Sequence, residues 1–373
     1  MLVGIDASRT VAGKLTGTEY YAVNLIQAIA RLDQHNQYRL YFNVPFQKPI
    51  VRQENFQKRV MPFPRLWTQL RLALECLLDP PQILFVPSHT LPVIRSPKTK
   101  TIVTVHDLGA EFLAEYHQFP QKLYLNRSTE YVARHADHLI AVSNSTKNDL
   151  QKIFQVPEKR VTVVYEGVDL ERFKPLKEKK DLERIRQKYQ LKNEFLLFVG
   201  TIQPRKNLAN LIEAFALYLQ ESKKNIDLVL VGKKGWLTDE IYAKPKLLGI
   251  QEKVFFLDYV AESDLPYFYN LASLFVLPSL YEGFGLPILE AMACGCPVAG
   301  SDCSSIPEVI GEAGLLFNPN SPQEISRSIH EMLENENLRA EKISQGLKRV
   351  KGFSWEKAAQ KTLQLFEKIY HES

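Results

Sequence analysis

Short apolar runs rich in Val, Ile, Leu and Phe alternate along this chain with longer stretches in which apolar residues recur at helical spacing. Such uninterrupted apolar runs are typical of strands buried on both faces of a parallel sheet. In the first half, the predicted strands are residues 2–6, 38–43, 83–86, 101–105, 138–142 and 161–164, and the clearest predicted helices are residues 18–31, 121–135 and 145–154. In the second half, the predicted strands are residues 195–199, 227–231, 254–256, 274–277 and 297–299, with helices beginning after residues 207, 238, 263, 287 and 321.

This alternation of strands and helices restarts midway, which predicts an α/β protein with two doubly wound parallel-sheet domains. Hydrophobic periodicity lapses near residues 165–169, and charge density rises over residues 174–181. We therefore predict an N-terminal domain at residues 1–170 and a C-terminal domain at residues 171–354. Apolar residues at helical spacing also predict a last helix over residues 355–370.

The composition excludes several classes of protein. The chain has 373 residues, of which 45% are hydrophobic and 24% charged, values that favour a globular protein over a disordered chain or a coiled coil. Every apolar run is interrupted well before the roughly 18 residues that a membrane-spanning helix needs. The chain opens directly on a predicted strand, and its four cysteines are too few for a disulfide framework. We therefore expect a cytoplasmic protein.

The net charge of +5 is concentrated in the first half, where basic residues outnumber acidic ones over residues 48–100. Within this basic span, residues 63–78 place an apolar stripe beside Arg65 and Arg71. The stripe consists of Leu66, Trp67, Leu70, Leu74, Leu77 and Leu78. A core-facing helix whose arginines line an acceptor cleft would give this pattern, and so would a helix lying on an anionic membrane. The second interpretation predicts peripheral association with the inner face of the membrane.

Two familiar phosphate loops can be tested by their spacing. Gly13 and Lys14 lack the upstream glycine and the following hydroxyl of a P-loop, and Gly283 and Gly285 lack the third glycine of a dinucleotide fingerprint. The second segment nevertheless follows a predicted strand, and Pro287 suits the first turn of a helix. Backbone amides at Gly285, Leu286 and Ile288 are predicted to face an anion at this helix start.

Two carboxylates flank the same helix start, with Glu282 in the loop and Glu290 about one turn into the helix. The segment from Glu282 to Glu290, with the following residues 291–298, closely resembles the Glu-x7-Glu segment of the retaining GT-B glycosyltransferases of family 4, the glycosyltransferase group 1 family. Residues 200–207 look like the diphosphate-clamping loop of that family. Residues 166–169, with residues 173–175, look like its interdomain connector.

The resemblance also extends to the N-terminal half, where Val105, His106 and Asp107 match the family's active-site strand end. Gly17 occupies the place of its N-terminal glycine loop, although the usual pair of glycines is reduced to one. The family fold is GT-B, in which two Rossmann-like domains face a central cleft. The resemblance implies that the N-terminal domain binds the acceptor, the C-terminal domain binds the nucleotide-sugar donor, and the helix at residues 355–373 packs back on the N-terminal domain.

The roles of single residues are implied by the same resemblance. Glu282 would hold donor-sugar hydroxyls, and His106 would contact that sugar from the N-terminal domain, unless it is a buried histidine satisfied beneath a loop. Glu290 would accept hydrogen bonds from the ribose. The remaining donor-binding residues would be Gly17, Arg205, Lys206, Val260, Gly283, Phe284, Gly285 and Leu286.

A metal site is not expected, because the sequence contains no Asp-x-Asp motif and Cys294 and Cys296 have no second ligand pair at zinc spacing. Arg205 and Lys206 then become the natural cations for the leaving diphosphate. The resemblance implies retention of anomeric configuration. Departure and attack on one face of the sugar and a covalent intermediate on Glu282 both remain open, and neither needs a cofactor.

The leading prediction is a hexosyltransferase that moves glucose from UDP-glucose to a glycan or lipid-linked acceptor in polysaccharide biosynthesis. The first alternative is a GDP-mannose-dependent mannosyltransferase. In the family the nucleotide base meets backbone, here near Tyr259 and Val260, and backbone contacts leave little trace of the base in the sequence. A non-catalytic sugar-nucleotide binder is a further alternative, disfavoured because the whole set of site residues is present. An epimerase or a pyridoxal-dependent phosphorylase is disfavoured by the clamp and the Glu-x7-Glu pair. No nucleic-acid partner is expected.

Overall fold

The computed structural model describes residues 1–11, 17–45, 50–63, 65–109, 121–258 and 260–372. This part of the chain forms two compact units. Unit 1 comprises residues 1–167 together with residues 354–373, and unit 2 comprises residues 168–353. Each unit contains its own parallel sheet, as the alternation of apolar runs predicts. The chain passes from unit 1 to unit 2 three residues before the predicted boundary.

Unit 1 is built on a sheet in which every described pairing is parallel, with the strand order β3-β2-β1-β4-β5-β6-β7. Its strands are β1 (Leu2–Asp6), β2 (Gln37–Phe42), β3 (Phe56–Val60), β4 (Ile83–Val86), β5 (Lys100–Val105), β6 (His138–Ala141) and β7 (Val161–Val163). Its helices are α1 (Gly17–Leu32), α2 (Ala73–Leu78), α3 (Gln121–His135) and α4 (Asn144–Phe154). Strands β4 and β6 are buried along their whole length, which is why their sequences are apolar apart from His138 at the start of β6.

Unit 2 repeats this architecture, with the strand order β10-β9-β8-β11-β12-β13 and parallel pairing throughout the described sheet. Its strands are β8 (Glu194–Val199), β9 (Ile226–Val231), β10 (Val254–Leu257), β11 (Leu274–Leu277), β12 (Val298–Ser301) and β13 (Leu315–Phe317). Its helices are α5 (Lys179–Lys188), α6 (Leu208–Glu221), α7 (Asp239–Leu247), α8 (Leu265–Leu271), α9 (Leu286–Ala293), α10 (Ile306–Ile310), α11 (Pro322–Glu334) and α12 (Glu336–Arg349).

The last helix, α13 (Trp355–His371), belongs to unit 1 although the chain reaches it through unit 2. Ser354 caps its first turn by accepting a hydrogen bond from the Lys357 amide. Its buried side packs Trp355 against Tyr21, with ring centroids 5.8 Å apart, and Phe366 against Phe85, at 5.3 Å. The helix thus completes the hydrophobic core of the domain in which the chain begins.

Gly167 marks the end of the first pass through unit 1 and lies directly against α13. A Cβ atom at this position would lie 2.2 Å from the backbone nitrogen of Trp355. Only glycine allows so close an approach between two backbones. The last residues of unit 1 before the crossing are therefore held tightly against the helix that returns to it.

The apolar stripe at residues 63–78 does not form the single amphipathic helix that its spacing predicts, and this part of the prediction is wrong. Leu66 has a left-handed backbone with φ of 54°, a π-helical turn follows at Thr68–Leu72, and only then does α2 begin. The core contacts come from Trp67, Leu72, Ala73 and Cys76, which are buried. In the part of the chain that the structure describes, no helix is both long and apolar enough to cross a bilayer.

Candidate functional site

The predicted anion-binding residues of unit 2 lie where the strand order of its sheet reverses. Strands β8 and β11 are parallel neighbours, although other strands separate them along the chain. Gly200 follows the carboxyl end of β8, and Pro278 follows that of β11. Ligands of open parallel sheets bind at this kind of switch point, because the connections from the two strands leave toward opposite faces.

The loops that leave these two strands bring Arg205 and Lys206 together with Glu282. The Lys206 ammonium donates a short hydrogen bond to Glu282 Oε1, and Arg205 Nη1 lies 3.8 Å from Glu282 Oε2. Arg205 Nη1 also donates to the Tyr281 carbonyl at 3.0 Å. The Glu282 side chain is buried. Two cations and one carboxylate from distant parts of the sequence thus share one water-poor site.

Asn207 holds the two cations in place. Its backbone is left-handed, with φ of 56°, a conformation that asparagine tolerates better than most residues. Its side-chain amide donates to the carbonyls of Pro278, at 3.1 Å, and Pro319, at 2.7 Å. The short 3-10 turn at Pro204–Lys206 therefore ends at a residue whose side chain is bonded to the loop that follows β11.

The two cations determine the charge of Glu282. Burial acts to raise the pKa of its carboxyl, but the charges of Lys206 and Arg205 and the hydrogen bonds from Lys206 and Ser279 outweigh burial and lower that pKa. The Ser279 hydroxyl donates at 2.6 Å. Glu282 is thus ionised at neutral pH and neutralises the cations while no ligand is bound. An incoming diphosphate would compete with this internal carboxylate.

The predicted helix start forms at α9, with Gly285 as the residue before it and Pro287 in its first turn. Gly285 has a φ of 104°, which favours glycine because a Cβ atom would be strained there. The Ser305 hydroxyl donates to the carbonyls of Glu282 and Phe284, at 3.0 and 2.9 Å, and so fixes the loop from behind. Gly283 and Leu286 lie in this same loop and first turn.

One detail of the predicted anion cradle is wrong. The Ile288 amide donates to the Gly285 carbonyl at 3.0 Å, because the first turn of α9 closes on itself. That amide is therefore engaged within the protein. The amides of Gly285 and Leu286 remain the predicted anion contacts at the helix start.

Glu290 lies on α9 with its carboxylate against Tyr269 of α8. The Tyr269 hydroxyl donates to Glu290 Oε2 at 2.7 Å. Loss of hydration raises the pKa of Glu290 to about 7, against the opposing effects of the Tyr269 hydrogen bond and the Arg172 charge. This carboxyl therefore changes charge near neutral pH, whereas Glu282 stays ionised.

Two further predicted donor-binding residues border undescribed segments. Val260 is buried in unit 2, and its neighbour Tyr259 lies outside the described residues. Gly17 begins α1 in unit 1, and the preceding Thr16 is likewise outside them. Among the described residues, no group of three or more His, Cys, Asp and Glu side chains is arranged to hold a metal ion.

His106 lies in unit 1, directly after β5, and is buried. Its Nδ1 is 3.3 Å from Glu166 Oε1, and its Nε2 is 3.0 Å from the Pro87 carbonyl. The His106 backbone amide donates to His89 Nε2 at 3.1 Å. Both ring nitrogens thus face acceptors inside unit 1, the arrangement expected of a protonated imidazole.

The pKa values of His106 and His89 are shifted in opposite directions. Burial acts to lower the pKa of His106, but the hydrogen bond and charge of Glu166 outweigh burial and raise that pKa. Burial and the neighbouring His106 lower the pKa of His89 to about 4. His89 therefore stays neutral at physiological pH, while Glu166 favours a charged His106.

Replacing Glu166 with glutamine should lower the pKa of His106 below its ordinary value of 6.5, because burial then acts against a weaker partner. In the native protein, the raised pKa means that charged His106 stabilises the fold below pH 6.5, a contribution lost as pH rises through the raised value. NMR titration of the histidine ring protons measures the shift. Glu158→Gln, which removes an exposed partner of Lys147, is the matched control. An unchanged His106 pKa in Glu166→Gln would contradict the pairing.

Several residues that support this site were not predicted from the sequence. Glu166 was assigned to a connector, although the structure pairs it with His106. Tyr269 and Ser279, which contact the two glutamates, had no signal in the sequence. Asn207 could have been recognised only as a turn residue, because asparagine tolerates a left-handed backbone better than most residues.

Comparisons with known proteins identify the family of the chain. The family model for glycosyl transferases group 1 matches residues 179–349, and the model for glycosyltransferase family 4 matches residues 15–172. The chain is 30% identical over 378 residues to the O-antigen chain mannosyltransferase B of Escherichia coli, a match that covers 97% of this chain and 99% of that protein. It is 32% identical over 280 residues to the serotype-specific mannosyltransferase WbdA of Escherichia coli, covering 74% of this chain and 34% of that longer protein.

Solved structures share the fold at lower sequence identity. Sucrose-phosphate synthase from Thermosynechococcus elongatus matches with a TM-score of 0.76 and 19% identity, covering 100% of this chain and 99% of that one. Anabaena HepE in complex with UDP and glucose matches with a TM-score of 0.75 and 18% identity, covering 98% of this chain and 99% of that one. At these identities, the likeness supports the architecture of two parallel-sheet domains and nothing finer.

Proposed function

Because the chain belongs to the glycosyltransferase group 1 family, we propose that it transfers a hexose from a nucleotide sugar to a glycan or lipid-linked acceptor during polysaccharide assembly. The observation that supports this proposal most strongly is the placement of Arg205, Lys206 and Glu282 at the switch point of the unit 2 sheet, directly before the start of α9. Fixed cations beside a helix N-terminus suit a departing diphosphate.

The donor roles are assigned to unit 2. Lys206 and Arg205 would neutralise the diphosphate, with the amides of Gly285 and Leu286 facing the same charge. Glu282 would exchange its contacts with the cations for hydroxyls of the donor sugar, and Glu290 would accept hydrogen bonds from the ribose. His106 of unit 1 would contact the sugar, held by Glu166. Retention of anomeric configuration and independence of metal ions stay predictions.

The names of the relatives support mannose as the transferred sugar. The two relatives at 30% and 32% identity are both named mannosyltransferases, whereas the HepE structure with UDP and glucose is only 18% identical. We therefore place GDP-mannose first and keep UDP-glucose as the second candidate. A sugar-nucleotide binder without activity would share the same fold and clamp.

A panel of UDP- and GDP-linked sugars, scored for slow hydrolysis without acceptor, separates these candidates. We expect GDP-mannose to be hydrolysed faster than UDP-glucose, and equally fast with and without EDTA, because the cations of the site are side chains. Faster hydrolysis of UDP-glucose would establish the second candidate. Binding of every sugar without turnover of any would indicate the non-catalytic alternative, and loss of hydrolysis in EDTA would contradict metal independence.

An exposed apolar surface on unit 1 supports the proposed membrane association. The leucine patch, defined as Leu66, Leu70, Leu74, Leu77 and Leu78, lies on the outer side of the segment that buries Trp67 and Cys76. Leu66 and Leu78 are 64% and 77% exposed. The Val93 amide donates to the Gln69 side chain at 2.9 Å, so that Val93, itself 55% exposed, extends the patch.

The charge of this region suits an anionic lipid surface. Arg65 and Arg71 belong to the same segment, within the basic span of residues 48–100. Arg71 also pairs with Glu75, at 3.0 Å, so part of the local positive charge is neutralised inside the protein. We therefore propose weak, reversible binding in which the leucine patch enters the lipid interface and adds to the electrostatic attraction.

Replacing Leu70 and Leu74 with aspartate should abolish binding to vesicles that contain anionic phospholipid, because two charges would enter the lipid interface. Both side chains are about half exposed, so the fold should be retained. Vesicle co-sedimentation at low and high salt measures binding. Leu247→Asp, at an exposed leucine of unit 2, is the matched control and should bind like the native protein. Failure of the native protein to bind anionic vesicles even at low salt would contradict the proposal.

A further inference from the structure

The carboxylate assigned to the ribose has one described hydrogen-bond partner, and that partner is rigid. Tyr269 is fully buried and donates from its hydroxyl to Glu290 Oε2 at 2.7 Å. Its ring packs edge-on against Phe173, with centroids 6.0 Å apart, and against Phe275 of β11, at 5.6 Å. The hydroxyl therefore cannot turn away from Glu290 without disturbing the core of unit 2.

The hydrogen bond leaves room for a ligand. An ionised carboxylate offers about four acceptor positions, of which the Tyr269 hydroxyl occupies one. A ribose diol needs two. The tyrosine therefore fixes the orientation of the carboxylate and leaves positions on both oxygens of Glu290 for the two ribose hydroxyls.

We propose that Tyr269 is a positioning residue that holds Glu290 oriented and ionised for recognition of the nucleotide ribose. The inference rests on the proposed role of Glu290. It adds a residue that acts on the nucleotide only through that carboxylate. The Tyr269 hydroxyl stays protonated whether Glu290 is charged or neutral, because burial and the Glu290 charge keep the pKa of Tyr269 well above the usual range.

The surroundings of Glu290 explain why it needs such a partner. Burial raises the pKa of Glu290 to about 7, the Tyr269 hydrogen bond and the Arg172 charge oppose this rise, and Glu262 adds to it. Cys294 directly follows the same helix, with a thiol whose pKa is itself raised above the physiological range. The ionised form of Glu290 accepts from the two ribose hydroxyls more strongly than the protonated form, so loss of the Tyr269 hydroxyl should disturb the orientation of the carboxylate and lower its ionised fraction.

The test compares Tyr269→Phe with the native protein, using GDP and UDP and their 2′,3′-dideoxy counterparts as probes in calorimetric titrations between pH 7.5 and 9. We expect about 10-fold weaker binding of the better ribonucleotide at pH 7.5, partly recovered at pH 9, because higher pH restores the charge of Glu290. Binding of the dideoxy nucleotide should change less than about twofold, since it lacks the two hydroxyls that Glu290 is proposed to bind.

Two controls separate a positioning role from a structural one. Tyr218→Phe removes another buried tyrosine hydroxyl of unit 2, which bonds Glu334, and should leave all four affinities unchanged. The double variant Tyr269→Phe with Glu290→Gln should bind no more weakly than Glu290→Gln alone. Equal weakening of ribose and dideoxy nucleotides by Tyr269→Phe would overturn the inference, and so would an unchanged affinity.

The outcome also distinguishes failure of this inference from failure of the proposed function. If the native protein and Glu290→Gln both bind ribose and dideoxy nucleotides equally, the ribose role of Glu290 is wrong. If Glu290→Gln loses the discrimination and Tyr269→Phe retains it, only the inference about Tyr269 is wrong. Should Tyr269→Phe fail to fold, fluorotyrosine at position 269 keeps the hydroxyl and makes it a stronger donor. The midpoint of the pH dependence should then shift downward, and an unchanged midpoint would overturn the inference.

Discussion

Replacing Lys206 with alanine is expected to lower kcat/KM for the nucleotide sugar by about 100-fold or more and to weaken nucleoside-diphosphate binding in parallel. The two effects should occur together because the diphosphate already carries its charge in the ground state. Lys206 also neutralises the buried Glu282 carboxylate, so its removal should destabilise the ligand-free protein by about 3 kcal/mol.

Calorimetry with UDP and GDP, steady-state kinetics and thermal unfolding measure these three effects separately. Lys206→Arg keeps the charge and should retain most of the stability, while the planar guanidinium changes the geometry of the clamp. Lys244→Ala removes a lysine of the same unit that pairs with Glu213 at 2.7 Å, and is the matched control. Unchanged affinity of Lys206→Ala for both nucleotides would remove this residue from the donor site.

Replacing Glu282 with glutamine should lower turnover without weakening nucleoside-diphosphate binding, unlike the replacement of Lys206. Turnover is expected to fall by about 1,000-fold, because the ionised carboxylate is proposed to hold the donor sugar in the reacting geometry. Nucleoside-diphosphate binding should be retained or become tighter, because Lys206 and Arg205 would no longer be neutralised from within the protein. A single substitution would thus separate binding from catalysis.

The measurements are single-turnover rates with the nucleotide sugar and titration with the diphosphate alone. Glu213→Gln removes the partly exposed partner of Lys244 and should change neither quantity. Weaker diphosphate binding by Glu282→Gln would show that the carboxylate supports the clamp instead of competing with the ligand. A large loss of thermal stability with normal turnover would make Glu282 a structural residue.

The interior strands could be predicted from the sequence because burial on both faces leaves a mostly apolar run. Two edge strands of the sheets, β3 and β13, were not predicted for the complementary reason. In β3 only Phe56 is buried and the next four residues face solvent, and in β13 only Phe317 is buried. An edge strand is held mainly by backbone pairing with one neighbour, which leaves no hydrophobic signature.

The segment at residues 63–78 shows how a correct period can lead to a wrong structure. Its leucines recur at helical spacing, yet Leu66 breaks the helix and the exposed side is the apolar one. Periodicity identifies a face that differs from its opposite. It does not say which side chains meet the core: Trp67, a member of the predicted stripe, is buried together with Cys76, whereas the leucines of the stripe are exposed.

The sequence by itself determined the fold class, the two-domain organisation and the family motif from Glu282 to Glu290, since each depends on residues close together along the chain. Only the tertiary structure decided which side chains meet. Lys206 and Glu282 are 76 residues apart, as are Arg205 and Tyr281, and His106 and Glu166 are 60 residues apart. Such pairs form where parallel strands bring their carboxyl ends to one edge of a sheet, and the resulting burial and charge set which groups are ionised. These are properties of packing in three dimensions, which a pattern of neighbouring residues does not contain.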